Sequence, residues 1–321
     1  MSSSEHQSSN SVVSVVDVGS NTIKLLVATV DSNGKLIVLH EQSDPTRIGT
    51  GIGSDLLVLG EPDMAAAVGA IQRLLKQAAP HQPDHIHLVA TGAVRDASNG
   101  NEFAERVRIT TGHDLVILSG EEEASGIAAG LATDPALAGK PDFLACDLGG
   151  GSLELILVED RTVHAKTSLP LGAIRLAERF ISEVKSSVPS EEIDAIELHI
   201  RETMVASNFP FPSIVNDLVV TGGSFVAVRA ILAERDGIPF CDKSLVSQPE
   251  IAELLIGITQ LTLPQRIERF PALPPNRADV MPAAMACILA LLDYLDANKV
   301  YNSLHNLRYG EAVRLLGIVL D

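Results

Sequence analysis

The sequence predicts an α/β protein of two related lobes, each a mixed β-sheet flanked by helices, with a cleft between the lobes. Two observations lead to this prediction. Residues 17–26 (DVGSNTIKLL) align with residues 147–156 (DLGGGSLELI), an offset of 130 positions from Asp17 to Asp147. Thr91-Gly92-Ala93 aligns with Thr221-Gly222-Gly223 at the same offset. Two separate matches at one spacing indicate that the two halves are copies of one structural unit.

Each copy has the same predicted order of elements. A buried strand runs into an Asp-x-Gly turn and returns as an apolar strand, and a third strand follows a short polar turn. Helical and strand patterns then alternate, which favours a mixed sheet in each lobe. The predicted strands are 11–16, 23–30, 35–40, 85–90, 115–118, 143–146, 153–158, 162–169 and 217–220. The predicted helices are 62–79, 101–111, 121–131, 173–184, 191–206, 225–235 and 279–297.

The domain boundaries follow from composition. Residues 1–11 are Ser-rich and polar without the layout of a signal peptide, so we expect a disordered tail. Lobe I is predicted over 12–131 and lobe II over 132–306, because Thr-Asp-Pro and Gly-Lys-Pro mark a polar link at 131–141. The most apolar stretch, 280–295, contains Pro and Asp and is too short for a membrane span, so it predicts a buried helix.

Composition and charge exclude several classes of protein. The 321 residues are 46% hydrophobic but only 3% aromatic, so the core is predicted to be aliphatic and Ala-rich. Three scattered cysteines indicate a reducing compartment, and we expect a cytoplasmic protein. The net charge of −17 argues against nucleic-acid and membrane partners, which need a basic face. An anionic ligand would need backbone amides, helix N-termini or a bound cation.

The two aligned Asp-x-Gly turns are candidate phosphate loops. A glycine at such a turn lets backbone N–H groups approach an oxyanion that a Cβ would hold away. Asp17 and Asp147, at the strand ends, are placed to hold a metal ion or to position water. Two hairpin turns with solvated Asp residues are the alternative, which the duplication disfavours. The candidate phosphate-binding residues are Gly19, Ser20, Asn21, Thr22, Gly149, Gly150, Gly151 and Ser152.

A second pair of loops is predicted to lie at the same end of the sheets. Thr91 follows the strand 85–90, and Arg95 lies four residues on, where a guanidinium can pair with phosphate in a bidentate manner. A helix-capping turn with a surface Arg fits this stretch equally well. Gly222 and Gly223 form the corresponding backbone loop of lobe II.

The segment Ser119–Ala124 opens a predicted helix with three successive acids. Ser119 and Glu122 fit a capping box, and acids in a first turn suit the helix dipole. This structural account explains Glu121 and Glu122 well and Glu123 less well. A carboxylate at the start of a helix between lobes can orient and deprotonate water. Spacing alone leaves both roles of Glu123 open.

Together these stretches resemble the exopolyphosphatase/guanosine pentaphosphate phosphohydrolase (Ppx/GppA) family of the actin-like ATPase superfamily, whose lobes are ribonuclease H-like. The resemblance covers nearly the whole chain after the tail. The Ser-Gly-x-Glu-Glu-Ala element and a Leu-Arg-x-Gly near the C-terminus are its most specific parts. The matching segments are 17–21, 90–95, 119–124, 147–152, 168–173, 277–283 and 307–310.

The resemblance implies roles for individual residues. It implies that Glu123 is the catalytic base, that Arg95 meets phosphate, and that Asp17 and Asp147 hold a divalent cation such as Mg²⁺. Glu154 would lie beside this metal site as a further acidic group. The helix from 307 to 321 would pack back on lobe I.

Two features depart from the family pattern. Leu304 and Asn306 replace a more usual Asp and Gly, and Asn tolerates the left-handed backbone that Gly supplies. Longer relatives carry a further helical domain after the point where this sequence ends, which implies a weaker grip on very long phosphate chains.

The implied activity is that of a phosphoric anhydride hydrolase. Inorganic polyphosphate is the preferred substrate, since a nucleoside pocket is expected to use aromatic stacking and aromatics are scarce. The guanosine pentaphosphate alarmone (pppGpp) is the alternative substrate. An actin-like kinase and a non-catalytic sensor of polyphosphate or alarmone also stay open, as does a homodimer, the commonest assembly.

Overall fold

The computed structural model describes residues 11–54, 56–213, 215 and 218–319. The predicted tail lies outside these residues except for Ser11, as does Asp217 of the predicted strand 217–220. Within the described ranges, no helix combines the length and the apolar character needed to cross a membrane.

Lobe I contains a five-stranded sheet. Its order is β3-β2-β1-β4-β5, with β1, β2 and β3 antiparallel and β1, β4 and β5 parallel. The β1–β2 register places Asp17 opposite Lys24. The strands are β1 (Val13–Val18), β2 (Ile23–Val30), β3 (Leu36–Asp44), β4 (His85–Ala90) and β5 (Leu115–Ile117).

Lobe II repeats this plan in a six-stranded sheet of order β10-β11-β9-β6-β7-β8. The first three strands, β6, β7 and β8, are again an antiparallel meander, and β9 again pairs parallel with the first of them. Its register places Asp147 opposite Glu154, as Asp17 stands opposite Lys24. The strands are β6 (Phe143–Leu148), β7 (Leu153–Glu159), β8 (Thr162–Leu169), β9 (Leu218–Thr221), β10 (Leu245–Ser247) and β11 (Lys299–Asn302).

All eight predicted helices are present, with shifted ends, and the helix predicted over 307–321 ends at Leu316, before Gly317. The helix predicted over 173–184 ends at Phe180, because Ile181 is extended. The helix predicted over 279–297 begins at Met281, where Pro282 takes a first-turn position that suits proline. The helices are α1 (Glu61–Ala78), α2 (Gly92–Asp96), α3 (Gly100–Thr111), α4 (Gly120–Leu131), α5 (Ala173–Phe180), α6 (Ser190–Ala206), α7 (Gly223–Asp236), α8 (Gln248–Thr259), α9 (Leu263–Arg269), α10 (Met281–Tyr294) and α11 (Leu307–Leu316).

Several elements were not predicted. They are α2, α8, α9, β10 and β11. Helix α8 has a signal that the prediction missed, since Ile251, Leu254, Leu255 and Ile258 are buried at helical spacing after a capping box at Ser247. Strands β1 and β6 each run two residues further than predicted. Asp17 and Asp147 therefore lie inside the ladder, which fixes their backbones.

The core is aliphatic, as predicted. Every residue of α10 from Met281 to Leu292 is buried, so the apolar stretch is a core helix. A second cluster crosses between the lobes, because Ile127 and Leu131 of α4 pack with Ala145 and Ile156 of the second sheet. The two lobes thus share buried apolar surface beside the cleft.

Helix α11 packs on α4 and on strands β1 and β2. The contact with α4 is made by glycines. A Cβ on Gly310 would lie 1.8 Å from the carbonyl oxygen of Gly126, and one on Gly130 would lie 2.1 Å from that of Asn306. The two helices can approach this closely only without side chains at these positions. This explains the glycine of the Leu-Arg-x-Gly element.

We expect Gly310→Ala to destabilise the protein by at least the roughly 1–3 kcal/mol typical of an overpacked core. The clash is with backbone, so the helices must separate. Gly69→Ala in α1 is the matched control, since its Cβ would have 3.4 Å of space to Arg73. That change should stabilise by about 0.5–1 kcal/mol. Urea unfolding measures both, and equal stability of Gly310→Ala and the parent would contradict the close helix contact.

Candidate active site

The structure places the two duplicated loops face to face. Residues 19–22 join β1 to β2, and residues 149–152 join β6 to β7. A Cβ on Gly150 would lie 3.0 Å from Cβ of Ser20, and one on Gly151 would lie 2.9 Å from Ser20 Oγ. The loops therefore meet so closely that a side chain at Gly150 or Gly151 would clash with the first loop.

A small inner cavity lies between the loops, with a volume of about 70 Å³. At roughly 30 Å³ per water molecule, this is space for a group of phosphoryl size rather than a nucleoside. Every predicted site residue lines it except Arg95 and Glu154. The predicted residues that line the inner cavity are Asp17, Gly19, Ser20, Asn21, Thr22, Thr91, Glu123, Asp147, Gly149, Gly150, Gly151, Ser152, Gly222 and Gly223.

The carbonyl groups of both loops are already hydrogen-bonded to protein. Ser20 O accepts from Ile48 N at 3.1 Å and from Gly49 N at 2.8 Å. The carbonyls of residues 149 and 150 accept from the first two residues of α5 at 3.0 and 2.9 Å. The loop carbonyls are thereby engaged by neighbouring segments of the protein.

Four of the loop amides, in contrast, are unpaired. In the described part of the chain, the N–H groups of Ser20, Asn21, Gly150 and Gly151 donate no hydrogen bond. The side-chain amide nitrogen of Asn21 is also buried without a partner. Buried donors without partners are rare and call for a ligand that accepts. An anion between the loops would satisfy donors from both lobes at once.

Asp17 and Asp147 bring two carboxylates to this cavity. Burial raises the pKa of both, and the charges of Lys24 and other cations partly oppose the rise. Oδ1 of Asp17 is buried without a hydrogen-bond partner. An unpaired acceptor beside unpaired donors is the arrangement expected where a cation and an oxyanion bind together.

These two residues suit Mg²⁺, which is held by one or two carboxylates together with substrate phosphates and water. Among the residues described, no three His, Cys, Asp or Glu side chains come together as a metal site. The predicted set of Asp17, Asp147 and Glu154 therefore does not form a site from protein groups alone. The reason is that Glu154 is turned to β8, where its Oε1 accepts from Ser168 Oγ at 2.7 Å.

Glu154 is 1% exposed and lies opposite Asp147 in the ladder. Burial raises its pKa well above the usual value, and the charges of Glu123 and Asp147 add to the rise. The hydroxyl groups of Ser168 and Ser152 act in the opposite direction. The buried surroundings thus disfavour the charged form of Glu154.

Glu123 differs from the two acids before it. Ser119 and Glu122 form the predicted capping box, with Glu122 N donating to Ser119 Oγ at 3.2 Å and Ser119 N to Glu122 Oε2 at 2.8 Å. Glu123 turns inward and is 7% exposed. Burial raises its pKa to about 7, against the lowering effect of Arg95. A carboxyl with this pKa is suited to take a proton near neutral pH.

Arg95 forms an ion pair with Glu123. It does not line the inner cavity; its Nη1 donates to Glu123 Oε2 at 2.5 Å and to Leu118 O at 3.4 Å. Its Nε lies 3.5 Å from Asp96. The guanidinium therefore holds the carboxylate of Glu123 in place.

Three basic residues of the cleft were not among the predicted site residues. Lys24 and Arg277 line the inner cavity, and Arg277 Nη2 donates to Thr22 Oγ1 at 3.1 Å. Arg308 lies further out, where it donates to Leu25 O at 2.8 Å. The repeat contained a signal for Lys24, which occupies the position of Glu154 in the other copy. Arg277 and Arg308 stand inside segments that carried the family resemblance.

An outer cavity of about 490 Å³ continues from the inner one. Lys24, Arg277 and Arg308 lie along it together with Glu41, whose carboxylate lies 3.3 Å from the Arg308 guanidinium, so the charged lining is net cationic. Its far wall is apolar and consists of Val226, Ala227, Ala230, Ala272, Pro274 and Leu304. A ligand held at the loops can therefore extend past three cations towards an apolar wall.

Ion pairs hold the lobes together around the cleft. Arg47 donates from Nε to Asn21 Oδ1 at 2.7 Å and makes two bonds to the carboxylate of Asp279, at 2.6 and 2.9 Å. On the other side, Arg175 of α5 donates to Ile52 O at 3.0 Å and pairs with Asp96. Because the bidentate Arg47–Asp279 pair fixes its geometry, it helps to set the distance between the facing loops.

Two duplicated α/β lobes with facing glycine loops and acids at the strand ends define the actin-like class of phosphate-handling proteins. The chain belongs to the Ppx/GppA phosphatase family, whose model matches residues 26–317. The predicted family and fold class are confirmed, and so is the class of phosphate-hydrolysing enzyme.

Similar proteins include exopolyphosphatase 2 of Mycobacterium tuberculosis, 27% identical over 84% of this chain and 86% of the relative. A guanosine-5'-triphosphate,3'-diphosphate pyrophosphatase of Vibrio vulnificus is 26% identical over 97% of this chain but only 60% of the relative. The crystal structure of an exopolyphosphatase from Cytophaga hutchinsonii has the same fold, with a TM-score of 0.83 and 24% identity over 96% of this chain and 99% of that one.

Proposed function

We propose that this protein releases terminal orthophosphate from inorganic polyphosphate by direct hydrolysis. The observation that carries the proposal is the pair of facing loops with unpaired amides around a cavity of about 70 Å³. The terminal phosphoryl group occupies this inner cavity. The following phosphates run outward past Lys24, Arg277 and Arg308.

In the proposed reaction, the loop amides bind the non-bridging oxygens, since phosphoryl transfer depends mostly on positioning and charge stabilisation. Glu123 accepts a proton from the attacking water while the oxygen of that water forms a bond to phosphorus. The bond to the bridging oxygen breaks, and orthophosphate and a shortened chain result. Asp17 and Asp147 would hold Mg²⁺, which when bound supplies positive charge to the phosphate oxygens.

Hydrolysis of the 5'-terminal phosphate of pppGpp is a second candidate. The apolar wall of the outer cavity favours it, because a base can lie against Val226, Ala227 and Ala230 where a phosphate chain finds no partner. No aromatic side chain lines that cavity within the described residues, so stacking on a ring is not offered. We therefore place polyphosphate first.

Phosphate release from polyphosphates of several lengths, pppGpp and ATP, with Mg²⁺ and with EDTA, tests the proposal. We expect stepwise release from polyphosphate that requires the metal, and little release from ATP. Phosphate release from pppGpp but not from polyphosphate would contradict the first proposal and support the second candidate, hydrolysis of pppGpp. ATP-dependent phosphorylation of an acceptor would indicate a kinase, and tight binding of polyphosphate without release would indicate a sensor.

A further inference from the structure

A third cavity lies outside the cleft, between helix α4 and strands β7 and β8. We call it the α4–β8 cavity; its volume is about 340 Å³, and it shares no lining residue with the inner or outer cavity. Its walls are mainly small or apolar. The side chains that form them include Ser125, Ala128, Ala129, Phe143, Val158 and Val163.

The charged residues of this cavity are all basic. Lys140, Arg161 and Lys166 line it, and no Asp or Glu does so within the described residues. This is unexpected in a chain with 41 acidic and 24 basic residues. Lys166 Nζ donates a hydrogen bond to Ser125 Oγ, and Arg161 Nη2 donates one to Ala138 O at 3.1 Å. Two of the cations are therefore held against the cavity's own walls.

We propose that the α4–β8 cavity binds an amphipathic anion, a single carboxylate or phosphate group on an apolar body. Its volume lies in the range of small-molecule sites, which are mostly apolar with a few placed polar groups. Lys166 and Arg161 supply positive charge for the head group, and the alanines of α4 leave space for the body. A bare phosphate chain does not suit it, because most of its wall is apolar and would leave phosphate oxygens without a partner.

The position of the cavity connects it to the proposed reaction. Helix α4 carries Glu123 in its first turn, and β8 carries Ser168, which donates to Glu154. A ligand between α4 and β8 therefore contacts both the helix that carries Glu123 and the strand that holds Glu154 in place. We therefore expect its binding to change turnover. This regulatory part rests on the proposed function, whereas the binding itself does not.

Calorimetric titration of the full chain tests the binding. The probes are octyl phosphate and octanoate below their micelle concentrations, with uncharged octyl glucoside and inorganic phosphate as controls. We expect one saturable site for at least one of the two amphipathic anions and none for octyl glucoside. Inorganic phosphate should bind only at the phosphate loops, with an affinity that the cavity variants leave unchanged. Whichever anion binds identifies the preferred head group.

Two kinds of variant separate charge from shape. Lys166→Gln should weaken binding about tenfold, the order expected for one charge-assisted hydrogen bond. Ala129→Phe fills the cavity and should abolish binding without changing charge. Lys76→Gln, on the exposed face of α1, makes the same charge change elsewhere and should leave binding unchanged. Thermal melting checks that each variant is folded.

Three results would overturn the inference: no saturable binding to the parent protein, equal binding of octyl glucoside, or unchanged affinity in both cavity variants. The calorimetric result needs no turnover. A protein that binds octyl phosphate but releases no phosphate from polyphosphate or pppGpp would contradict the proposed function alone.

Discussion

Glu123→Gln is expected to lower turnover by about 10²–10⁴-fold, the usual contribution of a general base. The amide has nearly the same shape, and its carbonyl oxygen can still accept from Arg95, so the first turn of α4 should keep its geometry. It cannot take a proton from water. Substrate binding should be nearly unchanged, because the loop amides and cleft cations are untouched.

Initial rates of phosphate release give turnover, and calorimetry with the slowly turned-over variant gives the dissociation constant. Glu121→Gln is the matched control, since Glu121 lies two residues away in the same helical turn but is exposed. It makes the same change in net charge and should keep parental activity. Full activity of Glu123→Gln would remove Glu123 from the proposed mechanism.

The sequence predicted the duplicated loops well because a glycine turn between two buried strands is a local pattern, and the repeat showed it twice. The face-to-face placement of those loops followed from the same repeat. Lys24 shows where this reasoning stopped. The alignment made Lys24 equivalent to Glu154. Only the strand pairing shows that Lys24 lies opposite Asp17 and Glu154 opposite Asp147.

Side-chain partners could not be predicted in the same way. Arg95 was expected at phosphate because it follows a strand end. The direction of its side chain depends on Glu123 of α4, which lies 28 positions later in the chain. Glu154 was grouped with the metal ligands, whereas its contact with Ser168 depends on the β7–β8 register. Both outcomes depend on packing between segments distant in sequence, which no local pattern specifies.

The contact of Arg95 with Glu123 leads to the second large effect, on pH dependence. Burial raises the pKa of Glu123 most, the charge and hydrogen bond of Arg95 oppose the rise, and the charges of Asp17 and Asp147 add to it. Since a general base acts only when deprotonated, activity should rise with pH through about 7. In Arg95→Gln the opposing charge is lost, so the pKa of Glu123 and the midpoint of the acidic limb should both move upward.

The shift should be at least about one pH unit, since an adjacent opposite charge changes a carboxyl pKa by roughly 1–3 units. At the parental midpoint a rise of one unit lowers turnover about fivefold and each further unit about tenfold, and activity should recover at higher pH. Arg95→Lys keeps the charge and should restore most of the parental profile. If Arg95 bound substrate phosphate instead, Arg95→Gln would raise KM at every pH and would leave the acidic limb of the pH–rate profile unshifted. Because the two roles move different parameters, one set of pH–rate profiles decides whether Arg95 positions the base or binds the substrate.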